Sequence, residues 1–279
     1  MALINRDDVE NRIRMGKTLE NIDMEGINLQ SARLENAKFI RCNLSNAHFE
    51  DARIDGADFS RSDLTASNFR NTSVKEGNFQ ESILKTTDFS GANLEGASFK
   101  KAHLERSVFT DANLSTALLV ELDASMCDFS GAEMKRAFLK ESNFLLCLFD
   151  DVQADLIQAI KTNFTGSSMR RISMDRSNLL GANFSLAVLE ESQLRGCPLK
   201  HANFFGTILH RVKFTKSNME RAHFLRAKGE GVSFTGVNLG AANLRDAIFT
   251  EANFDQAIMT NAVTENTNLD GSSFEGTQR

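Results

Sequence analysis

The chain has 279 residues, a formal net charge of −5 and 25% charged side chains, with 22 Phe, one Pro and neither Trp nor Tyr. That acidic balance disfavours direct nucleic-acid binding, which needs a basic face. No apolar run approaches the ~20 residues of a membrane-spanning helix and no signal-peptide pattern opens the sequence, so no membrane contact and a cytoplasmic location are expected.

Residues 1–17 stand apart from the rest of the chain. In "NRDDVENRIRMGK", Val9 and Ile13 are four apart, acids come early and Gly16 comes after them. This is the signature of a short amphipathic helix, expected to cap the first turn of the structure that begins at residue 18. The predicted division is therefore an N-terminal cap, 1–17, and one repeat domain, 18–279.

From Leu19 the sequence becomes periodic. "TDFSGANLEGASFKKAHL" (Thr87–Leu104) puts Phe89, Leu94, Phe99 and Leu104 five apart, with Ala92, Ala97 and Ala102 between them. The register runs to Phe274 without insertion or deletion, which makes 52 central positions, 47 of them Leu, Phe, Met, Ile or Val. The exceptions are Ala124, Ala154, Ala159, Gly229 and Thr264. Two residues before each centre, from Ile22 on, no charged or amide side chain occurs. A helix cannot use period five, because apolar positions offset by roughly 140° would wander around its surface. A straight strand puts residues five apart on opposite faces. The chain must turn once per repeat with two columns pointing inward. Asn and Asp crowd the position before the centre and Gly recurs two after it, and these residues tolerate the positive φ of tight corners.

Two periodicities set the coil length. From Phe39 to Phe109 the centres alternate Phe with an aliphatic residue, so a 20-residue coil stacks Phe on Phe whereas a 15-residue coil stacks Phe on Leu. Asn143, Asn163, Asn183 and Asn203 are also 20 apart, as an amide ladder requires. The motif Ala-(Asp/Asn)-(Leu/Phe), as in Ala92-Asn93-Leu94-Glu95-Gly96 and Ala252-Asn253-Phe254, resembles the pentapeptide-repeat family over about nine-tenths of the chain. The resemblance implies an all-β solenoid, a right-handed quadrilateral β-helix with one repeat per side. At 20 residues per turn this gives about 13 coils in one rod, stabilised by nearest-neighbour stacking.

Two stretches invite closer reading. In "DDVQADLIQAIKTNF" the centres weaken to Ala154 and Ala159, while Val152, Leu156 and Ile160 are spaced like a helix face. A distorted coil is expected across 150–161, with a helical excursion as the alternative. At the other end "DGSSFEGTQR" is still in register. The Leu269 and Phe274 layers are therefore expected to form an open edge through which two copies pair as a homodimer.

Catalytic chemistry leaves no trace. Cys42, Cys127, Cys147 and Cys197 fall on the inner small-residue column and read as small buried hydrophobes. Cys127 and Cys147 should be neighbours on successive coils, with parallel side chains ill placed for a disulfide. His48, His103, His201, His210 and His223 all point outward. No Ser-His-Asp arrangement, phosphate-binding Gly loop or metal-ligand spacing appears, so neither enzyme activity nor a cofactor is expected.

Sorting outward residues by side of the coil separates three surfaces. The side of Phe89 and Phe109 carries net −7, with Glu50, Asp51, Asp88, Asp111, Asp128, Asp150, Asp151, Glu190, Glu191 and Glu251. The opposite side is net basic, with Lys38, Arg41, Lys100, Lys101, Lys161 and Lys200. On the side of Leu104, Phe144 and Phe184, the outward Met126, Leu145, Leu146, Leu186, Phe205 and Leu225 are expected to form an apolar partner patch. Some pentapeptide-repeat proteins resemble duplex DNA and engage DNA gyrase, a role linked to quinolone resistance. A rod of this length imitating B-DNA would show over ~30 negative charges, so the acidic side is a poor imitation. The opening "RDDVENRIRMGKTLENIDMEGINLQSARLENAKF" is also similar to pentapeptide domains of type VI secretion accessory proteins. Three readings result: an interaction scaffold with an unknown protein partner, a secretion accessory, and a gyrase-directed DNA mimic.

Overall fold

The computed structural model describes residues 4–279, which fall into two compact units, one ending at Phe138 and the other running Leu139–Arg279. Both are built from the same five-residue step.

The first unit opens with helix α1 (Arg6–Arg14). Asn5 caps it: its side chain accepts from the Asp8 amide at 3.0 Å, and the Asp8 carboxylate accepts from the Asn5 amide at 3.4 Å. Gly16 ends it at φ +68, where the amides of Lys17 and Gly16 donate to the carbonyls of Arg12 and Ile13 at 2.9 and 2.8 Å. That is the paired bonding of a Schellman cap. Val9 is fully buried against the first coil, and the Arg6 guanidinium donates to the Gln30 carbonyl at 3.0 Å.

From Leu19 on, parallel pairing links residues twenty apart, and from Asp23 it falls on the residue before each centre. Strand β1 (Leu19–Glu20) lies beside β2 (Phe39–Ile40), and single bridges continue the ladder from Asp23↔Asn43 to Leu118↔Phe138. One coil is therefore 20 residues, four repeats, one per side. Along each side the central N–H donates to the carbonyl nineteen ahead, as Leu44 to Asp63 at 2.7 Å. The preceding N–H donates to the carbonyl twenty-one behind, as Asp63 to Cys42 at 2.9 Å.

The corners correct one expectation. Every residue two after a centre, from Asn21 to Gly276, has positive φ, and no Asn or Asp just before a centre does. Where the amide three after a centre donates to the central carbonyl, as Ala47 to Leu44 at 3.1 Å, this is a type II turn. The Asn or Asp before the centre acts differently. Its oxygen accepts from the amide two residues on, as Asn28 from Gln30 at 3.0 Å and Asp63 from Thr65 at 2.9 Å. The short side chain holds the chain as it enters the corner.

The interior matches the two-column reading. Phe39, Phe59, Phe79 and Phe99 stack at 4.9–5.2 Å, as do Phe49, Phe69, Phe89, Phe109 and Phe129 at 4.5–5.0 Å. The two stacks meet edge to face, Phe49 on Phe59 at 5.6 Å and 84°, the favoured aromatic arrangement. The small column does more than save space. The Ser62 hydroxyl donates to the Phe39 carbonyl at 2.6 Å and accepts from the Cys42 amide at 2.9 Å, and Thr72 and Thr87 donate to Phe49 and Leu64 in the same way.

The second unit repeats this plan, including β3 (Lys228–Glu230) beside β4 (Ile248–Thr250). Its Phe stacks run 144, 164, 184, 204, 224 and 214, 234, 254, 274. The amide ladder is present: Asn163, Asn183 and Asn203 each donate to the Asn twenty before, at 2.8, 3.3 and 3.0 Å. The helical excursion at 150–161 is not. Gln153 and Gln158 bridge Ser173 and Asn178 in register, Ala154 and Ala159 are buried, and Leu156 is a corner at φ +64. Volume explains why: where the centre shrinks to Ala, the inner neighbour grows to Val152 or Ile157, both buried. At Gly229 the exchange is complete, because a Cβ there would collide with the Val232 side chain.

Candidate interaction faces

Five of the six apolar patch residues, Leu145, Leu146, Leu186, Phe205 and Leu225, lie in the second unit; Met126 lies in the first. Met126, Leu146 and Leu186 are 48, 49 and 58% exposed, whereas Leu145, Phe205 and Leu225 are half-buried. Leu146 and Leu186 are corner residues at φ +56 and +60. For a side chain with a Cβ that backbone costs roughly 1–2 kcal/mol. Each leucine leans over the glycine one coil on: a Cβ at Gly166 or Gly206 would come within 2.8 Å of Leu146 or 3.0 Å of Leu186. The patch is less continuous than expected, because Thr165 and Ser185, 3.3 Å apart, separate Leu145 from Phe205. The sequence reading also missed Leu148 and Phe138, 45 and 42% exposed. The available signal was their place before a centre, where Asn or Asp is the rule.

The acidic side is interrupted by its own counter-charges. Asp151 is held by Arg171 through two 2.7 Å bonds, and Arg211 holds Glu191 at 2.6 Å. Residues 151, 171, 191 and 211 therefore alternate in sign along one column of the second unit. Beside it Arg170 sits 3.1 Å from Glu190 and 3.8 Å from Asp150. The Arg171 hydrogen bonds hold the Asp151 carboxyl below its ordinary pKa, and the same contacts raise that of Arg171. In the first unit Asp88 pairs with Arg70 at 3.1 Å, Glu50 accepts from Asn68 at 2.7 Å, and Asp51 from Asn71 at 3.4 Å. Asp111 and Asp128 lie on that side of the first unit by register, with Asp128 accepting from the Ser130 amide at 2.9 Å, and Glu251 lies beside the centre Phe249 in the second unit.

Met259 is the last buried centre; Thr264 is exposed and Leu269 and Phe274 are half-buried around a concavity of about 270 Å³. The Arg279 guanidinium lies 5.0 Å above the Phe274 ring.

The four cysteines are free and buried on the inner column, as expected, and their thiols do more than fill space. The thiols of Cys42, Cys127 and Cys197 donate to the carbonyls of Leu19, Leu104 and Met174 at 3.4, 2.9 and 3.1 Å, the slot Ser and Thr use elsewhere. Burial pushes the Cys197 thiol up to about 12 and raises that of Cys42. Among the described residues no group of three or more His, Cys, Asp or Glu is placed to hold a metal, and no helix is long and apolar enough to cross a membrane.

Comparison with known proteins places this architecture. A family profile described as "Pentapeptide repeat region" matches residues 32–109. A second, "Pentapeptide repeats (8 copies)", matches 107–144, 152–190, 167–206, 182–221, 207–246 and 247–278. No curated protein matches significantly. Among solved structures the chain is similar to HetL, a pentapeptide repeat protein involved in heterocyst differentiation regulation in the cyanobacterium Nostoc sp. strain PCC 7120, with 25% identity over 97% of both chains and a TM-score of 0.28. It is similar to Rfr23 from the cyanobacterium Cyanothece 51142, with 19% identity over 49% of this chain and 90% of that one and a TM-score of 0.33. QnrB1, a plasmid-mediated fluoroquinolone resistance protein, matches with 19% identity over 70% of this chain and 88% of that one and a TM-score of 0.34. With 20-residue coils, one repeat per side and matches across most of its length, the chain belongs to the pentapeptide-repeat family.

Proposed function

We propose that the protein is a non-enzymatic interaction scaffold whose binding surface is the apolar side of the second unit. One observation carries this: Leu146 and Leu186 are about half exposed at corners where glycine would be less strained. Each corner leucine covers only the glycine one coil on in its own chain and leaves about half of its surface in water, at the cost of a strained backbone. An apolar contact with a partner recovers it. The test is capture by the wild-type chain against a folded Leu146→Ser, Leu186→Ser variant; a partner retained equally by both overturns the assignment.

We propose a second contact at the coil that holds Leu269 and Phe274. Half-buried Leu269 and Phe274 offer an apolar edge that pairs with the same edge of another copy, a two-fold arrangement. Light scattering with size exclusion tests it: Phe274→Lys should abolish an end-to-end dimer, and an unchanged mass would sink the idea.

A further inference from the structure

The apolar side of the second unit has an internal symmetry. Over four successive coils its outward residues form three columns. One is Asn143, Asn163, Asn183, Asn203; the next is Leu145, Thr165, Ser185, Phe205; the corner column is Leu146, Gly166, Leu186, Gly206. None of the twelve is charged, in a chain with 25% charged residues. Reversed top to bottom, each column meets its complement. Amide faces amide. Leu145 faces Phe205, and the Thr165 hydroxyl faces that of Ser185. In the corner column each exposed leucine faces a glycine.

We propose that this face binds a second copy of the chain, antiparallel, about a two-fold axis lying in the face midway between Phe164 and Phe184. Such an axis runs across the coils, keeps each column on itself and reverses its order, so the contact is self-complementary and closed. Leu146 then approaches Gly206 of the other copy and Leu186 approaches its Gly166, and because each glycine lies under the leucine one coil before it, the contact is leucine against leucine. Along the preceding corner column, Glu141, Lys161, Gly181 and His201, reversal sets Glu141 opposite His201 and Lys161 opposite Gly181, so like charges do not meet within that column. In the next column around that edge Lys140 comes opposite Lys200, each already held by a carboxylate of its own chain, Glu141 and Glu220, at 3.6 and 2.6 Å. Four coils give a contact about 20 Å long and one side wide, smaller than the ~800 Å² per partner of a stable complex. The dimer should form reversibly with concentration. This inference rests on reading the face as a binding surface and names its occupant.

The test uses the full chain carrying Phe274→Lys, which removes any end-to-end contact. Sedimentation velocity between about 5 and 200 µM should show the mass rising toward a dimer, and adding Leu186→Asp should hold it at monomer with an unchanged thermal melt. A cysteine pair fixes the register. Leu145 and Phe205 are three coil steps apart, about 14 Å, beyond the ~7 Å reach of a disulfide within one chain. Oxidised Leu145→Cys, Phe205→Cys double variant should give a covalent dimer, and neither single variant should. A monomer at every concentration, no cross-link from the double variant, or equal cross-linking by a single variant overturns the proposal. If a different protein is captured through Leu146 and Leu186 while no dimer forms, the binding surface stands and the second copy does not.

Discussion

Asp151 and Arg171, twenty residues apart, face each other one coil apart, with Oδ1–Nε and Oδ2–Nη2 both at 2.7 Å. The pair turns one stretch of the acidic side into a neutral ladder that continues through Glu191 and Arg211. Duplex DNA presents one negative charge per ~1.7 Å without such interruption. Purified protein should therefore leave gyrase supercoiling, and its inhibition by fluoroquinolones, unchanged at low micromolar concentration. Activity in either assay that Asp150→Lys with Asp151→Lys abolishes would contradict this reading of the acidic side.

Leu94 is fully buried among stacked coils, while Glu95 beside it is exposed and paired with Lys75 at 3.2 Å. Leu94→Asp buries an unpaired charge and should cost several kcal/mol. Glu95→Lys loses a surface pair worth at most about 1 kcal/mol. Chemical denaturation separates the two, and equal midpoint shifts would refute the register.

Gly229 and Val232 share one volume. Gly229→Ala should destabilise the second unit by about 1–3 kcal/mol through overpacking, and Val232→Ala in the same chain should recover part of that loss. Simple additivity of the two changes in a double-mutant cycle would show that the exchange of volume is not real.

Register and coil length were legible in the sequence because both inner columns obey a period that no helix or straight strand satisfies. Phe39 over Phe59 and Asn143 over Asn163 followed from spacing alone. The 150–161 segment misled because Val152, Leu156 and Ile160 happen to lie four apart, while the compensation of Ala154 by Val152 is visible only once both are inside. The division of labour at each corner was also hidden. Composition shows that Asn, Asp and Gly are frequent, not which one carries the positive φ. On the apolar side the residue types were readable, but the reversal of columns depends on which coils adjoin and which residues face out.

Cys197 offers a chemical test of the interior. Its thiol, held protonated by burial up to about 12, should resist thiol reagents at pH 8 until the protein unfolds. An unfolded cysteine ionises near ~8.5 whereas the folded one does not, so folding stability is fully present below that pH and falls as pH rises from there toward about 12. Cys197→Ala should flatten that alkaline decline. Rapid labelling of Cys197 in the native protein would contradict its placement.

The scaffold reading is tested most directly by comparing affinity capture from native-host extract by the wild-type chain and by Leu146→Ser, Leu186→Ser, both verified as folded by circular dichroism. These two positions are the sharper probe because they are more exposed than Phe205 and Leu225. The account predicts that the wild type retains a specific partner, a second copy of itself included, and that the double variant loses it with an unchanged melting curve. Equal retention by the two chains would contradict it.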